Sequence, residues 1–210
     1  ESAEKFTYEA ELCLVSIGRS KLTKDIGLEQ LGGTIDRSGF VVNEKTRETG
    51  VPGVYAIGDC TGGVMLAHKA SYDGDIAVAN ALTSIGGFDT HAREANYRVL
   101  PATIFTSPEI GSVGIRENEA KAIAKEKGSK VYTGRFYYAS LGKAKCMAAE
   151  QGFMMIIADK DTDLILGASC IGHGAPELIA TVSVAMEHGI TATKLGHTIY
   201  SHPTISEMVL

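Results

Sequence analysis

The chain has no excess of positive charge, no long apolar run and no clustered cysteines, and each absence excludes a class of function. With 20 Lys and Arg against 25 Asp and Glu, the net charge is -5. An acidic chain gains nothing from a phosphate backbone, so nucleic acid is not an expected partner. The apolar runs fall far short of the ~20 residues that cross a bilayer, so no membrane partner is expected. No charged-then-apolar leader opens the chain, and nothing in it suggests secretion. The four cysteines, Cys13, Cys60, Cys146 and Cys170, show neither C-x-x-C nor C-x4-C spacing. That pattern argues against a zinc cage or a local redox disulfide. Each cysteine lies in or beside an apolar stretch and is expected to pack as a small hydrophobe. A reducing compartment follows, most simply the cytoplasm.

What is present is an ordinary globular balance over 210 residues, 44% apolar and 21% charged, enough for one large or two modest domains. Glu1 to Glu9 is polar without an initiator Met, and Leu210 falls inside a helical pattern, so both ends read as cut from something longer. Leu12–Ile17 and Val54–Ile57 read as buried strands, and Met65 to Leu82 as a helix with Ala70, Ala77, Val78 and Ala81 among its apolar positions. Strand, glycine turn and helix form half of a doubly wound α/β unit. The stretch around Gly86–Tyr97 reads as a connection, and Pro101 begins a different region. There, Ile115 to Lys127 is a helix that Arg116 caps poorly. Val131 to Tyr138, Phe153 to Ala158 and Leu164 to Ile171 are strands, the last two an antiparallel hairpin. A helix follows, with Pro176 in its first turn, an apolar stripe of Leu178, Ile179, Val182, Ala185 and Met186, and a stop at Gly189. This segregated pattern predicts an α+β second domain.

Two stretches carry chemistry. In Tyr200-Ser201-His202-Pro203-Thr204-Ile205-Ser206-Glu207 a histidine stands five positions ahead of a glutamate across a Pro-Thr turn. If the proline bends the chain sharply, the carboxylate folds back onto the imidazole and makes it a useful proton acceptor. The competing reading makes Pro203 a first-turn proline and Glu207 a solvated helix charge. In the other stretch, Gly58-Asp59 closes the strand pattern of 54–57, where open α/β sheets bind ligands. Its carboxylate accepts hydrogen bonds from sugar-like hydroxyls, or merely caps a turn. Met65-Leu66-Ala67-His68 then opens a helix whose positive end favours an anionic ring edge. His68 is either a ligand or base, or a helix residue contributing backbone and packing.

Ile17-Gly18-Arg19, Val51-Pro52-Gly53-Val54-Tyr55-Ala56-Ile57-Gly58-Asp59, Met65-Leu66-Ala67-His68-Lys69-Ala70 and His202-Pro203-Thr204-Ile205-Ser206-Glu207 occur in an order that resembles the pyridine nucleotide–disulfide oxidoreductases. Pro101-Ala102-Thr103-Ile104-Phe105-Thr106-Ser107-Pro108-Glu109-Ile110 resembles the opening of that family's interface domain. The Met-Leu-Ala-His-Lys-Ala stretch is most similar to the dihydrolipoamide dehydrogenase branch, rather than the glutathione or mercuric reductases.

The resemblance implies a fold of α/β plus α+β. Residues 1–19 would be the last strand of an NAD-binding domain, 20–95 the C-terminal part of a doubly wound FAD-binding domain, and 96–210 a dimerisation domain. It implies that Asp59, after Gly58, binds the FAD ribityl chain, that Met65, Leu66, Ala67 and His68 present backbone to the flavin pyrimidine edge, and that Gly18 lies near NAD. His202 would take the proton from a dihydrolipoamide thiol, with Glu207 orienting it, in the partner subunit's active site of a homodimer. The His202–Pro203 bond would be cis. Implied partners are a lipoyl-domain substrate and components of 2-oxo acid dehydrogenase complexes, and the compartment becomes the mitochondrial matrix if the source is eukaryotic.

The sequence also departs from the family. Its FAD-binding G-x-G-x-x-G and its redox-active C-x4-C are both absent, so the 210 residues alone are expected to turn over negligible lipoamide and to bind FAD weakly at best. Cys60 stands where valine is common and is expected to pack. His173, in a Gly-His-Gly turn, has no expected role. The alternatives to this reading are a non-catalytic dimerisation or interaction module derived from the same fold, or a related reductase of the mercuric or glutathione type.

Overall fold

The computed structural model describes residues 6–210, which fall into two compact units, one ending at Ala95 and one of Asn96–Leu210. In the first unit, regular structure is sparse. A two-stranded hairpin, β1 (Ile35–Asp36) and β2 (Gly39–Phe40), is closed by Asp36, whose Oδ1 accepts the N–H groups of Ser38 at 2.6 Å and Gly39 at 3.1 Å. Helix α1 spans Ala67–Ile85, close to the expected 65–82. Its buried ridge is less apolar than the sequence suggests. Lys69, Asp73 and Asn80 are buried alongside Ile76 and Ala77, whereas Val78 is exposed. Asn80 explains its own burial: Nδ2 donates to the carbonyls of Thr46 (3.1 Å) and Arg93 (2.9 Å), and Oδ1 accepts the Arg93 N–H at 2.9 Å.

Two expected strands do not form. Residues 12–17 make no ladder with any described segment, and Leu12, Leu14, Val15 and Ile17 are exposed. Residues 54–57 pair along one short edge, through the Tyr55–Glu48 bridge, the Thr49 N–H donating to the Val54 carbonyl at 2.8 Å and the Ala56 N–H donating to the Arg47 carbonyl at 3.2 Å. The physical reason is the same for both. A buried strand needs a neighbour on each edge for its backbone groups and a layer on each face; the described residues give 12–17 no paired edge and 54–57 only one.

The second unit is a five-stranded antiparallel sheet in the order β3-β4-β7-β6-β5, built from β3 (Ala102–Ile104), β4 (Ile110–Gly114), β5 (Val131–Tyr137), β6 (Phe153–Asp159) and β7 (Ile165–Ile171). The β6–β7 hairpin has the expected register, with Met154 opposite Cys170 and Ile156 opposite Ala168. Helix α4 (Ala175–Glu187) buries Leu178, Ile179, Val182, Ala185 and Met186, the expected stripe, against β4 and β7. Gly111 permits that approach, since a Cβ there would lie 2.7 Å from Ile179 Cγ1. Helix α2 (Glu117–Glu126) lays Ala120 and Ala124 over β5 and β6, and Arg116 gives its start no side-chain cap, as expected. Short helices α3 (Gly142–Cys146) and α5 (Ala192–Gly196) contribute Ala144 and Leu195 to the same core as Tyr138.

All four cysteines are free, but only Cys170 packs as a buried hydrophobe. Cys13 and Cys146 are exposed and Cys60 is half-buried, so a nearby apolar sequence did not bring burial. Cys13 follows the unpaired 12–17 segment to the surface, and the Cys60 thiol donates to the Ile57 carbonyl at 3.1 Å while burial pushes its pKa up.

Candidate functional site

The last turn of the second unit is built outward from its core. Met208 and Val209 are buried, which anchors a 3-10 turn over Ile205–Val209. Thr204 is the residue before that turn, not Pro203, so the proline lies outside the helix. The His202–Pro203 bond is cis. The Thr204 hydroxyl closes the bend by donating to the Ser201 carbonyl at 2.7 Å.

Glu207 then uses both carboxylate oxygens. Oε2 accepts the Thr204 N–H at 2.8 Å, and Oε1 lies 2.9 Å from His202 Nδ1. This decides between the two readings of the sequence: the glutamate side chain is only 15% exposed and folds back onto the histidine. The Thr204 N–H and then the His202 ring hold its carboxyl below the usual carboxylate range. An ionised Glu207 favours the tautomer with the proton on Nδ1, leaving the Nε2 lone pair pointing away from the carboxylate. The imidazole is 76% exposed, so that lone pair faces outward. The arrangement is a solvent-facing imidazole on a buried anchor.

The other candidate residues lie in the first unit. Gly58–Thr61 forms a 3-10 turn whose Asp59 carbonyl accepts the Gly62 N–H at 3.1 Å. Gly58 is required here: its φ is 70°, and a Cβ would press on Ala70 of α1 at 3.0 Å. The Asp59 carboxylate is partly exposed and meets Arg19 only at 3.8 Å. A cap of its own turn is therefore not what the Asp59 side chain supplies. Leu66 precedes α1 with an extended backbone and has no side chain able to cap, so the helix start offers its dipole to a ligand. Met65 and Leu66 are half-buried, Ala67 and His68 exposed. These features fit the polar side of a flavin: a carboxylate for hydroxyls and a helix start for a ring edge. Gly18 has φ 143°, and among the described residues nothing lies within 4 Å of a would-be Cβ.

Sequence reasoning missed the residues that hold the Asp59 turn. Arg47, Lys69 and Asp73 form a buried ion cluster, with Lys69 Nζ 2.7 Å and Arg47 Nη2 3.5 Å from Asp73 Oδ2. The i,i+4 spacing of Lys69 and Asp73 on the inward ridge of α1 was a usable signal. Nothing in the sequence marks Arg47.

Comparison with known proteins agrees with the architecture. The sequence profile described as pyridine nucleotide-disulphide oxidoreductase, dimerisation domain, matches residues 100–210, and that of pyridine nucleotide-disulphide oxidoreductase matches residues 1–74. The chain is 38% identical over 207 residues to a dihydrolipoyl dehydrogenase of Bacillus subtilis, covering 99% of this chain and 42% of that protein. It is 35% identical over 209 residues to that of Geobacillus stearothermophilus, with 100% and 42% covered. Among solved structures, the HOCl-induced flavoprotein disulfide reductase RclA from Escherichia coli superposes with a TM-score of 0.80 at 27% identity, over 92% of this chain and 42% of that one. LpdA from Mycobacterium tuberculosis gives 0.79 at 28% identity, over 92% and 40%. The chain thus spans about two-fifths of the length of the relatives it matches. With both of its units matched and the fold shared, the chain belongs to the pyridine nucleotide-disulphide oxidoreductase family.

Proposed function

We propose that this chain is the C-terminal portion of an FAD-dependent flavoprotein that oxidises dihydrolipoamide to lipoamide, working as a homodimer joined through residues 96–210. The observation that carries the reading is the 2.9 Å contact of His202 Nδ1 with Glu207 Oε1, which leaves the opposite ring nitrogen facing outward. His202 Nε2 takes the proton of a substrate thiol, and Glu207 holds the ring and stabilises the imidazolium that forms. The thiolate so produced is the reactive nucleophile, since a thiol itself is a poor one. Asp59 holds the ribityl hydroxyls and residues 65–68 line the pyrimidine edge. When bound, FAD supplies the two-electron acceptor. The dimerisation profile over residues 100–210 supports self-association, and similarity to dihydrolipoyl dehydrogenases supports the substrate class.

The test is His202→Gln in the flavoprotein that contains this chain, assayed with dihydrolipoamide. Turnover falls while flavin content and dimer mass stay unchanged. A variant as active as its parent would remove the base from the scheme. The 210 residues alone, lacking the redox dithiol, give negligible turnover in the same assay.

A further inference from the structure

The Asp59 turn and the start of α1 are separate stretches of chain, yet one buried carboxylate connects them. Asp73 Oδ2 lies 2.7 Å from Lys69 Nζ, in the first turn of α1, and 3.5 Å from Arg47 Nη2. The same Arg47 Nη2 donates to Thr61 Oγ1 at 2.9 Å, and Thr61 Oγ1 donates to the Gly58 carbonyl at 2.8 Å. An unbroken path of polar contacts therefore runs from the helix start to both ends of the 3-10 turn that carries Asp59. Arg47, Lys69 and Asp73 are 4%, 7% and 0% exposed, so the path is shielded from solvent screening.

Three features say that this path serves position and not stability alone. Burying charge is costly, and well-packed apolar side chains would hold two segments together at least as well. Arg47 Nε is buried without a hydrogen-bond partner, so the guanidinium is placed for Thr61 and Asp73 at the expense of its own satisfaction. Arg47 also sits at φ 66°, a left-handed conformation that surrounding structure must enforce. It is enforced on both sides of the residue: its N–H donates to the Asn43 carbonyl at 2.9 Å, and its carbonyl accepts from Ala56 at 3.2 Å. On the far side of the turn, a Cβ at Gly62 would overlap the Ser38 carbonyl, so the turn is boxed between the β1–β2 hairpin and the ion cluster.

We propose that the Arg47–Asp73–Lys69 cluster is a positioning device for the flavin contacts, fixing the Asp59 turn relative to the start of α1 so that both meet one ligand. This rests on the flavin assignment of Asp59 made above, and the experiment separates the two. In the flavoprotein containing this chain, amide hydrogen exchange is compared for Arg47→Met, Asp73→Asn and Thr61→Val. The Gly62 amide exchanges about 10-fold faster or more, the factor expected for losing a charge-assisted hydrogen bond, while the Ile157 and Ala168 amides are unmoved. In the flavoprotein containing this chain, FAD dissociation constants are measured for the same variants, for Arg47→Lys and for Asp59→Asn. Thr61→Val and Arg47→Met weaken FAD about 10-fold, and Arg47→Lys recovers part of the loss. If Asp59→Asn leaves FAD affinity unchanged, the Asp59 assignment falls and takes the proposal with it. If Asp59→Asn weakens FAD but Thr61→Val and Arg47→Met do not, the positioning role is overturned and Asp59 stands. Should Asp73→Asn fail to fold, Thr61→Val, which removes one hydroxyl, still decides the matter.

Discussion

The two units hold their candidate chemistry by opposite means. In the second, an apolar core of sheet and helix carries the His202–Glu207 pair at its surface, and the exposed imidazole belongs to no packing layer. In the first, the residues around the candidate site are themselves the packing: Lys69, Asp73 and Asn80 occupy the buried ridge of α1 where a helix normally places aliphatics, and Arg47 is buried against them from the 43–49 loop. Function and stability are separable in one unit and merged in the other. That difference makes distinct demands on mutational data, and it can be broken experimentally.

The largest expected effect is on catalysis. In the flavoprotein proposed to contain this chain, His202→Gln lowers dihydrolipoamide turnover by roughly 10²–10⁴-fold, the usual worth of a general base, with no change in the urea midpoint. A concurrent fall in stability would show that the dyad is part of the core after all. Leu178→Ala is the converse. Leu178 is buried on the inward face of α4, and removing its side chain costs about 2–5 kcal/mol in equilibrium unfolding. The dyad geometry survives in the molecules that stay folded.

Acid provides a finer test. The Asp163 carboxyl is held down to about 2, first by the Tyr132 hydroxyl and then by Thr193, whose N–H donates at 3.1 Å. A depressed carboxylate contributes stability that is fully present above its ordinary value of about 4 and is lost as pH falls through about 2. Glu207 is shifted in the same direction. The urea midpoint of the second unit therefore declines between about pH 4 and pH 2, and Asp163→Asn flattens that decline. An unaltered slope in the variant would show that the Tyr132 and Thr193 bonds contribute little.

The same contrast explains what could be read from the sequence. Helices α2 and α4 and the β6–β7 hairpin were legible because their apolar periodicity matches surfaces the chain itself supplies. The His202–Glu207 contact was legible as one of two alternatives, and the structure chose between them through Thr204, which moves Pro203 outside the turn. Leu12–Ile17 and Val54–Ile57 differ for the opposite reason: their composition demands neighbours on both edges, and the described residues give the first none and the second only Arg47–Thr49. Arg47 was invisible because a left-handed backbone and a buried guanidinium are consequences of tertiary context, not of local pattern. The cysteines were misread wherever the apolar stretch beside them was itself exposed.

The smallest expected effect sharpens the comparison most. Leu14 is 91% exposed, so Leu14→Ser removes a side chain that shields little from water and shifts the unfolding free energy by no more than about 0.5 kcal/mol. An apolar residue of identical type at position 178 is worth several times that, because burial and not hydrophobicity sets the energy. If Leu14→Ser instead lowers the midpoint by more, and the loss depends on protein concentration, the 12–17 segment is covered by a second copy in solution. The first unit would then possess an apolar interface of its own, and its reliance on the ion cluster would be only part of what holds it together.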